Sequence, residues 1–223
     1  MTPLAIFDLD ETLIDCDSAT LWLHHLVDHG HAPAAMLEAE KAMMADYRRG
    51  ALSMQSYMDF TLQPLAGRSI AVIGQWADAF VDGLFPAHAY PDGLHAIAQH
   101  RAQGHQLMII SATADFIVRR IAARFGVFDV MAIDLAEGDG IYTGHTRGIL
   151  SFREGKVLRL QAWLKSHDLS LTGSYGYSDS VNDLPLLRAV AHASVVNANR
   201  ELAELARQNR WQQLHWSPQR KHI

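Results

Sequence analysis

Apolar residues fall into three successive rhythms along the chain. Leu4-Ala5-Ile6-Phe7 is an unbroken apolar run, the mark of a strand buried on both faces, and it ends in Asp8-Leu9-Asp10. From about Asp17 to Phe85 the spacing is entirely helical, with no run of alternating β-branched residues. It predicts helices over 18–28, ended by Gly30; over 33–49, opened by Pro33 and stopped at Gly50; over 53–65, capped by Ser53; and over 68–84. After Pro86 short apolar runs alternate with helical stretches. Helices are expected over 91–103, 116–125, 154–166 and 184–190 and from Asn199, and strands over 105–111, 130–135, 175–178 and 194–196, with a short extended piece at 141–143 between two glycines.

Strands alternating with helices build a parallel sheet covered on both faces, and such sheets bind ligands outside the carboxyl ends of their strands. The expected fold is therefore α/β: a Rossmann-like parallel sheet with helices on both faces, interrupted after its first strand by an all-helical insertion.

Composition narrows the partner. The 223 residues, 49% apolar, suffice for one sizeable core with a smaller module. A formal net charge of -5, with the 19 Lys and Arg scattered, argues against nucleic acid and for a small-molecule partner. Cys16 is the only cysteine, so no intrachain disulfide forms, and without a basic neighbour in sequence it reads as a small packed side chain. No apolar run reaches about 18 residues and no basic leader precedes one, so a soluble cytoplasmic protein without a membrane partner is expected. His25 and His29 stand at helical spacing among His24 and His31; without a convincing further ligand they read as surface or lining histidines. Oligomeric state is left open.

The strand ends carry the candidate chemistry. A side-chain period of two turns Asp8 and Asp10 to the same side, a geometry suited to one hard cation such as magnesium. A calcium loop is excluded, because Leu13 stands where its glycine is needed and Ala19 where its glutamate is needed. The plainer alternative makes one aspartate a strand end and the other a helix cap. Ser111-Ala112-Thr113 ends the second strand before a helix, offering a hydroxyl and free N–H groups to an anion, or merely a Thr113 cap. Asp179-Ser180-Val181-Asn182-Asp183 brings two more carboxylates to the same edge. Asn182 or Asp183 could cap the next helix, but one cap does not explain Asp179. Lys156 lies in the first turn of a helix, where the dipole disfavours a cation unless it faces anions. Asp8, Asp10, Asp179 and Asp183 carry -4, and Lys156 with one magnesium adds +3, leaving -1. Protonating one carboxylate relieves that excess and supplies a general acid.

In this order, the residues resemble the motifs of the haloacid dehalogenase superfamily of phosphohydrolases, in its phosphoserine-phosphatase-like branch. Asp8-Leu9-Asp10-Glu11-Thr12 resembles the first motif, Ser111 the second, Lys156 the third and Asp179 to Asp183 the fourth. The helical block falls where this branch carries its cap, which implies a core of 1–15 and 87–223 and a specificity cap of 16–86. The resemblance also implies roles. Asp8 would be the nucleophile, forming an aspartyl-phosphate, and Asp10 the acid and then the base. Magnesium would be held by the Asp8 carboxylate, the Asp10 carbonyl and Asp179, with Asp183 orienting its waters. Ser111, Ala112 and Lys156 would bind the phosphoryl group, with Asn182 in support.

The departures from that branch concern substrate. Asp17 stands where its phosphoserine enzymes place a glutamate for the amine, and the stretch aligned with their cap arginine, Ser56-Tyr57-Met58-Asp59-Phe60, contains none. Arg48, Arg49 or Arg68 could substitute, although none is at the matching place. A small phosphomonoester that is cationic or neutral beyond its phosphate is implied, histidinol phosphate before phosphoserine. Trp22, Tyr57 and Phe60 are candidates to line the cap or to form its core. A phosphotransferase using the same intermediate, or a non-catalytic phosphate-binding protein, are the alternatives; the second would be expected to lack Asp8 or Asp10.

Overall fold

The computed structural model describes residues 2–48, 51 and 53–219. Its centre is β1 (Leu4–Phe7), every residue of which is buried. It pairs in parallel with β2 (Gln106–Ala114) on one side and with β6 (Tyr175–Ser178) on the other. The sheet is completed by β3 (Asp129–Ile133), β7 (His192–Val196) and β8 (Gln212–Leu214), in the order β3-β2-β1-β6-β7-β8 and parallel throughout. Phe7 lies level with Ile109 and Tyr177, so the residues following all three strands emerge at one edge.

Alternation along β1 divides the core. Ala5 and Phe7 face one layer with Ile109 and the α6 (Asp115–Arg124) residues Phe116, Ile117 and Ile121, whereas Leu4 and Ile6 face Met108, Ile110 and Leu160 of α7 (Glu154–Ser166). The helices α1 (Ser18–Asp28), α2 (Ala35–Arg48), α3 (Met54–Thr61) and α4 (Ile70–Leu84) form the insertion after β1. Their apolar faces, including Trp22, Tyr57, Ile73 and Phe80, join the first layer in one continuous core. At the root of the insertion its two links run side by side: the Asp15 N–H donates to the His88 carbonyl at 2.9 Å and the Tyr90 N–H to Leu13 at 3.0 Å. The helix α5 (Pro91–Ala102) leads from there into β2.

Several elements differ from expectation for local reasons. The third expected helix, 53–65, ends at Thr61 and continues as a 3-10 turn, Gln63–Leu65, because Pro64 offers no N–H to an α-helical ladder. The extended piece at 141–143 is one arm of an antiparallel hairpin, β4 (Leu135–Gly138) with β5 (Ile141–Thr146). Asp139 and Gly140 turn it with φ of 51° and 75°, both in the left-handed region that two-residue hairpins require. The hairpin holds the insertion: the Tyr142 N–H donates to Arg68 at 3.0 Å, and the Gly67 N–H donates to Tyr142 at 2.9 Å. The edge strand β8 was not expected from its polar residues. The expected end of α2 at Arg49 and Gly50, and the side chains of Arg48 and Arg49, lie outside the described residues.

One histidine makes the fold pH-sensitive. His100 of α5 is buried, with Nε2 2.8 Å from the Tyr177 hydroxyl and Nδ1 2.8 Å from His105 Nδ1. Burial, with His105 beside it, lowers its pKa from 6.5 to about 4. Between those values the unfolded chain binds a proton that the folded chain refuses, so the stability that His100 contributes falls as the pH falls through that window. The expected contribution is up to about 3 kcal/mol, and denaturant titrations at pH 7 and pH 4.5 should show His100→Gln losing less stability, or gaining more, on acidification than wild type. Equal differences in the two proteins would remove His100 as the cause.

Candidate active site

The tip of β1 delivers Asp8 into a largely buried position, its own N–H donating to the Tyr177 carbonyl at 2.9 Å. There it meets Lys156, whose Nζ donates to Asp8 Oδ1 at 2.7 Å and to Asp183 Oδ2 at 2.8 Å. Lys156 is only 2% exposed, so the anions it faces explain its unfavourable place in the first turn of α7. Gly155 lets the chain pass there, since a Cβ would collide with the Leu150 carbonyl oxygen. The Ser178 hydroxyl also donates to Asp183 Oδ2, at 2.8 Å. Asp183 stands as the N-cap residue of α8 (Leu184–Ala189) but makes no side-chain cap bond; its carboxylate is spent on Lys156 and Ser178.

Thr12, fully buried, ties the first and last motifs together. Its hydroxyl donates to Asp179 Oδ1 at 2.7 Å, accepts from the Asp179 N–H at 3.0 Å and lies 3.5 Å from Asp8 Oδ2. In sequence Thr12 only follows the acidic pair, with no role of its own. A hydroxyl within a run of acids and apolar residues is the available signal, and nothing local says which distant carboxylate it will meet.

Asp10 faces elsewhere. Its Oδ1 accepts from the Ser18 N–H at 2.8 Å, at the start of α1, and its Oδ2 accepts from the Thr113 hydroxyl at 2.8 Å and from Ser111 Oγ at 3.4 Å. The capping alternative therefore applies to Asp10 in part, while the N-cap of α1 is Asp17, whose Oδ1 accepts from the Thr20 N–H at 2.9 Å. Thr113 caps nothing: the N-cap of α6 is Ala114, and β2 simply runs on through Thr113. Ser111 is almost wholly buried, its Oγ accepting from the Thr113 N–H at 3.1 Å, while Ala112 and Thr113 line the cavity. Thr113, for which a cap was the plainer alternative, thus lines the cavity instead. Asn182 also lines the cavity, and its Oδ1 accepts from Arg153 Nε at 2.9 Å.

These residues form the floor of a cavity of about 360 Å³ roofed by Asp17, Trp22, Met44, Tyr57 and Met58 of the insertion. That is room for a small metabolite. Lys156 is its one cationic lining residue among those described. Phe60 is not among the lining residues, and Arg68 is turned elsewhere, its Nε donating to the Pro64 carbonyl at 2.8 Å and its guanidinium lying over Trp76.

Acid is in excess here. Burial pushes the Asp8 carboxyl well above its usual range, Lys156 pulls it back, and Asp183 and Asp179 raise it further. Burial likewise raises Asp179 to about 7, with Glu11 and Asp183 adding to it against the Thr12 hydrogen bond. Burial works against the Lys156 ammonium too, but Asp183 and Asp8 outweigh it and hold the lysine charged. The donor set is all oxygen, buried and over-supplied with negative charge, which fits a hard divalent cation beside Asp8 and Asp179.

The other chemistry-bearing residues stay apart from this floor. Burial, followed by Asp10 and Asp15, pushes the Cys16 thiol far up, as suits a packed side chain and not a nucleophile. His88 Nδ1 lies 2.6 Å from Asp15 Oδ1 across the two links. The His25 and His29 rings lie tilted against each other with centroids 4.1 Å apart.

A parallel α/β sheet with a helical insertion after β1, and a lysine-bridged acid cluster at its carboxyl edge, defines a phosphoryl-handling hydrolase class. The profile of the haloacid dehalogenase-like hydrolases matches residues 5–188, and the chain belongs to that family. It is 36% identical over 221 residues to a protein of Neisseria meningitidis serogroup C described as a histidinol-phosphatase, covering 97% of this chain and all of that one. A solved structure from Bordetella pertussis Tohama I, of a protein of unknown function, superposes with a TM-score of 0.89 at 35% identity, covering 96% and 99% of the two chains. A phosphoserine phosphatase solved as a phospho-aspartyl intermediate analogue shares the fold, with a TM-score of 0.71 at 16% identity over 97% and 94% of the chains. Within the family the chain is a phosphatase. No described helix is long and apolar enough to cross a membrane.

Proposed function

We propose that the protein hydrolyses a small, amine-bearing phosphomonoester through an aspartyl-phosphate on Asp8, with magnesium as cofactor and histidinol phosphate as the first candidate substrate. The observation that carries this reading is the Lys156 bridge between Asp8 and Asp183, set beneath a cavity whose opposite lining holds Asp17 and no further described cation.

An Asp8 carboxylate oxygen attacks phosphorus as the ester oxygen leaves, and Asp10 gives that oxygen its proton. Asp10, now ionised, takes a proton from water, whose oxygen attacks the acyl phosphate and releases inorganic phosphate and free Asp8. The Ser18 N–H and the Thr113 hydroxyl hold the Asp10 side chain in place for both transfers. Lys156 and the backbone N–H groups around Ala112 meet the phosphoryl oxygens; Ser111 supports that turn from beneath, and Asn182 borders it. Magnesium, held by the Asp8 and Asp179 carboxylates and the Asp10 carbonyl with Asp183 behind them, would neutralise phosphoryl charge. The helices of 16–86 act as the specificity cap over the 1–15 and 87–223 core, and Asp17 takes the substrate amine.

Phosphate release from histidinol phosphate, phosphoserine and an aryl phosphate tests this. Chelation of magnesium should lower release roughly a hundred-fold or more, with recovery on adding the metal back. Activity indifferent to chelator would sink the metal assignment. A preference for phosphoserine would overturn the inference drawn from the absent arginine, and a product ratio that shifts with added alcohol would make the protein a phosphotransferase.

A further inference from the structure

The insertion holds a second buried carboxylate. Glu40 of α2 is 6% exposed, and its Oε1 accepts from the Thr20 hydroxyl at 2.7 Å and the Tyr57 hydroxyl at 3.4 Å. Those partners are neutral, and no described cation pairs with it. A carboxylate withdrawn from water without a counter-charge is costly, and a cation arriving from outside would offset that cost.

Glu40 does not stand alone. Thr20 joins it to Asp17, its N–H donating to Asp17 at 2.9 Å while its hydroxyl donates to Glu40. Burial pushes Asp17 up to about 6, and Asp10, Glu40 and Glu11 are the charges that raise it further. Asp17 and Tyr57 both line the cavity. The wall behind them is thus acidic, while Lys156 is committed to Asp8 and Asp183.

We propose that Glu40 is a positioning residue for substrate selection: through Thr20 and Tyr57 it doubles the negative charge behind Asp17, so that the cavity takes esters carrying a primary ammonium. The inference rests on the phosphomonoesterase reading above. Its chemical basis is Coulombic. A buried carboxylate several ångströms from an ammonium still attracts it strongly where water is excluded.

Two substitutions separate charge from shape. Glu40→Gln keeps an acceptor oxygen for Thr20 and Tyr57 and removes the charge, whereas Glu40→Asp keeps the charge and shortens the reach. The readout is the ratio of kcat/KM for histidinol phosphate to that for its deaminated analogue, an imidazolylpropyl phosphate, with kcat and KM resolved and folding checked by circular dichroism. Glu40→Gln should lower the ratio roughly ten-fold, mainly through KM for the amine-bearing ester, and Glu40→Asp should restore most of it. A structural role predicts the reverse order, with Gln tolerated and Asp damaging both esters alike. A wild-type ratio retained in Glu40→Gln overturns the inference and leaves the phosphatase reading standing. If wild-type enzyme releases phosphate from neither ester, the reading and this inference fall together.

Discussion

Asp8→Asn should abolish phosphate release, lowering kcat by about 10⁴-fold or more, while the protein stays folded. An amide has nearly the shape of a carboxylate and can still accept from Lys156 Nζ, now 2.7 Å from Asp8 Oδ1. It cannot serve as the attacking anion. The cost of burying a charge and the repulsion from Asp183 and Asp179, which raise the Asp8 carboxyl, vanish with that charge, so thermal stability should be unchanged or slightly higher. Steady-state phosphate release with a thermal melt on the same preparation checks both halves. Activity within ten-fold of wild type would remove Asp8 as the nucleophile; loss of the folded signal would make the activity result uninformative about chemistry.

Lys156→Met should damage stability as well as catalysis. Methionine fills the volume, but Asp8 and Asp183 are then left facing each other without their shared cation, both of them buried. Removing one partner from a buried ionic cluster costs about 3–5 kcal/mol. For a chain of this size that lowers Tm by roughly 6–20 °C. A second substitution, Asp183→Asn, should recover part of the loss by removing one unpaired charge. Catalysis should fall by at least about a hundred-fold in both variants, since no other described cation lines the cavity to meet a phosphoryl group. Wild-type stability in Lys156→Met would mean that the two carboxylates are not dependent on this lysine.

The two substitutions fall in one cluster only in space: Asp8 lies 148 residues and Asp183 27 residues along the chain from the Lys156 that joins them. Each was nevertheless readable locally. Asp8 ends an apolar run, Lys156 stands where a helix dipole repels it, and Asp179 and Asp183 exceed what one cap requires. The parallel fold then brings all of them to one edge. Other parts were not readable in this way. Glu40 sits in Leu37-Glu38-Ala39-Glu40-Lys41, which has the composition of a solvated helix face, and only the packing of α2 on α1 and α3 withdraws it from water. Ser111 and Thr113 are chemically alike, and the direction of β2 past its expected end decides that Thr113 lines the cavity while Ser111 lies beneath it.

Periodicity and strand-end chemistry by themselves determined the alternation of strands and helices, the parallel sheet, the helical insertion and the residues gathered at the sheet's edge, because those depend on near neighbours and on the few topologies a parallel sheet permits. The tertiary structure alone decided the pairing of Thr12 with Asp179, the acid pair of Asp17 and Glu40, and the hairpin that holds the insertion through Tyr142. The reason is distance along the chain. Burial and hydrogen-bond partners are properties of what arrives from elsewhere, and no local pattern encodes which side chain will close over an acid and exclude water from it.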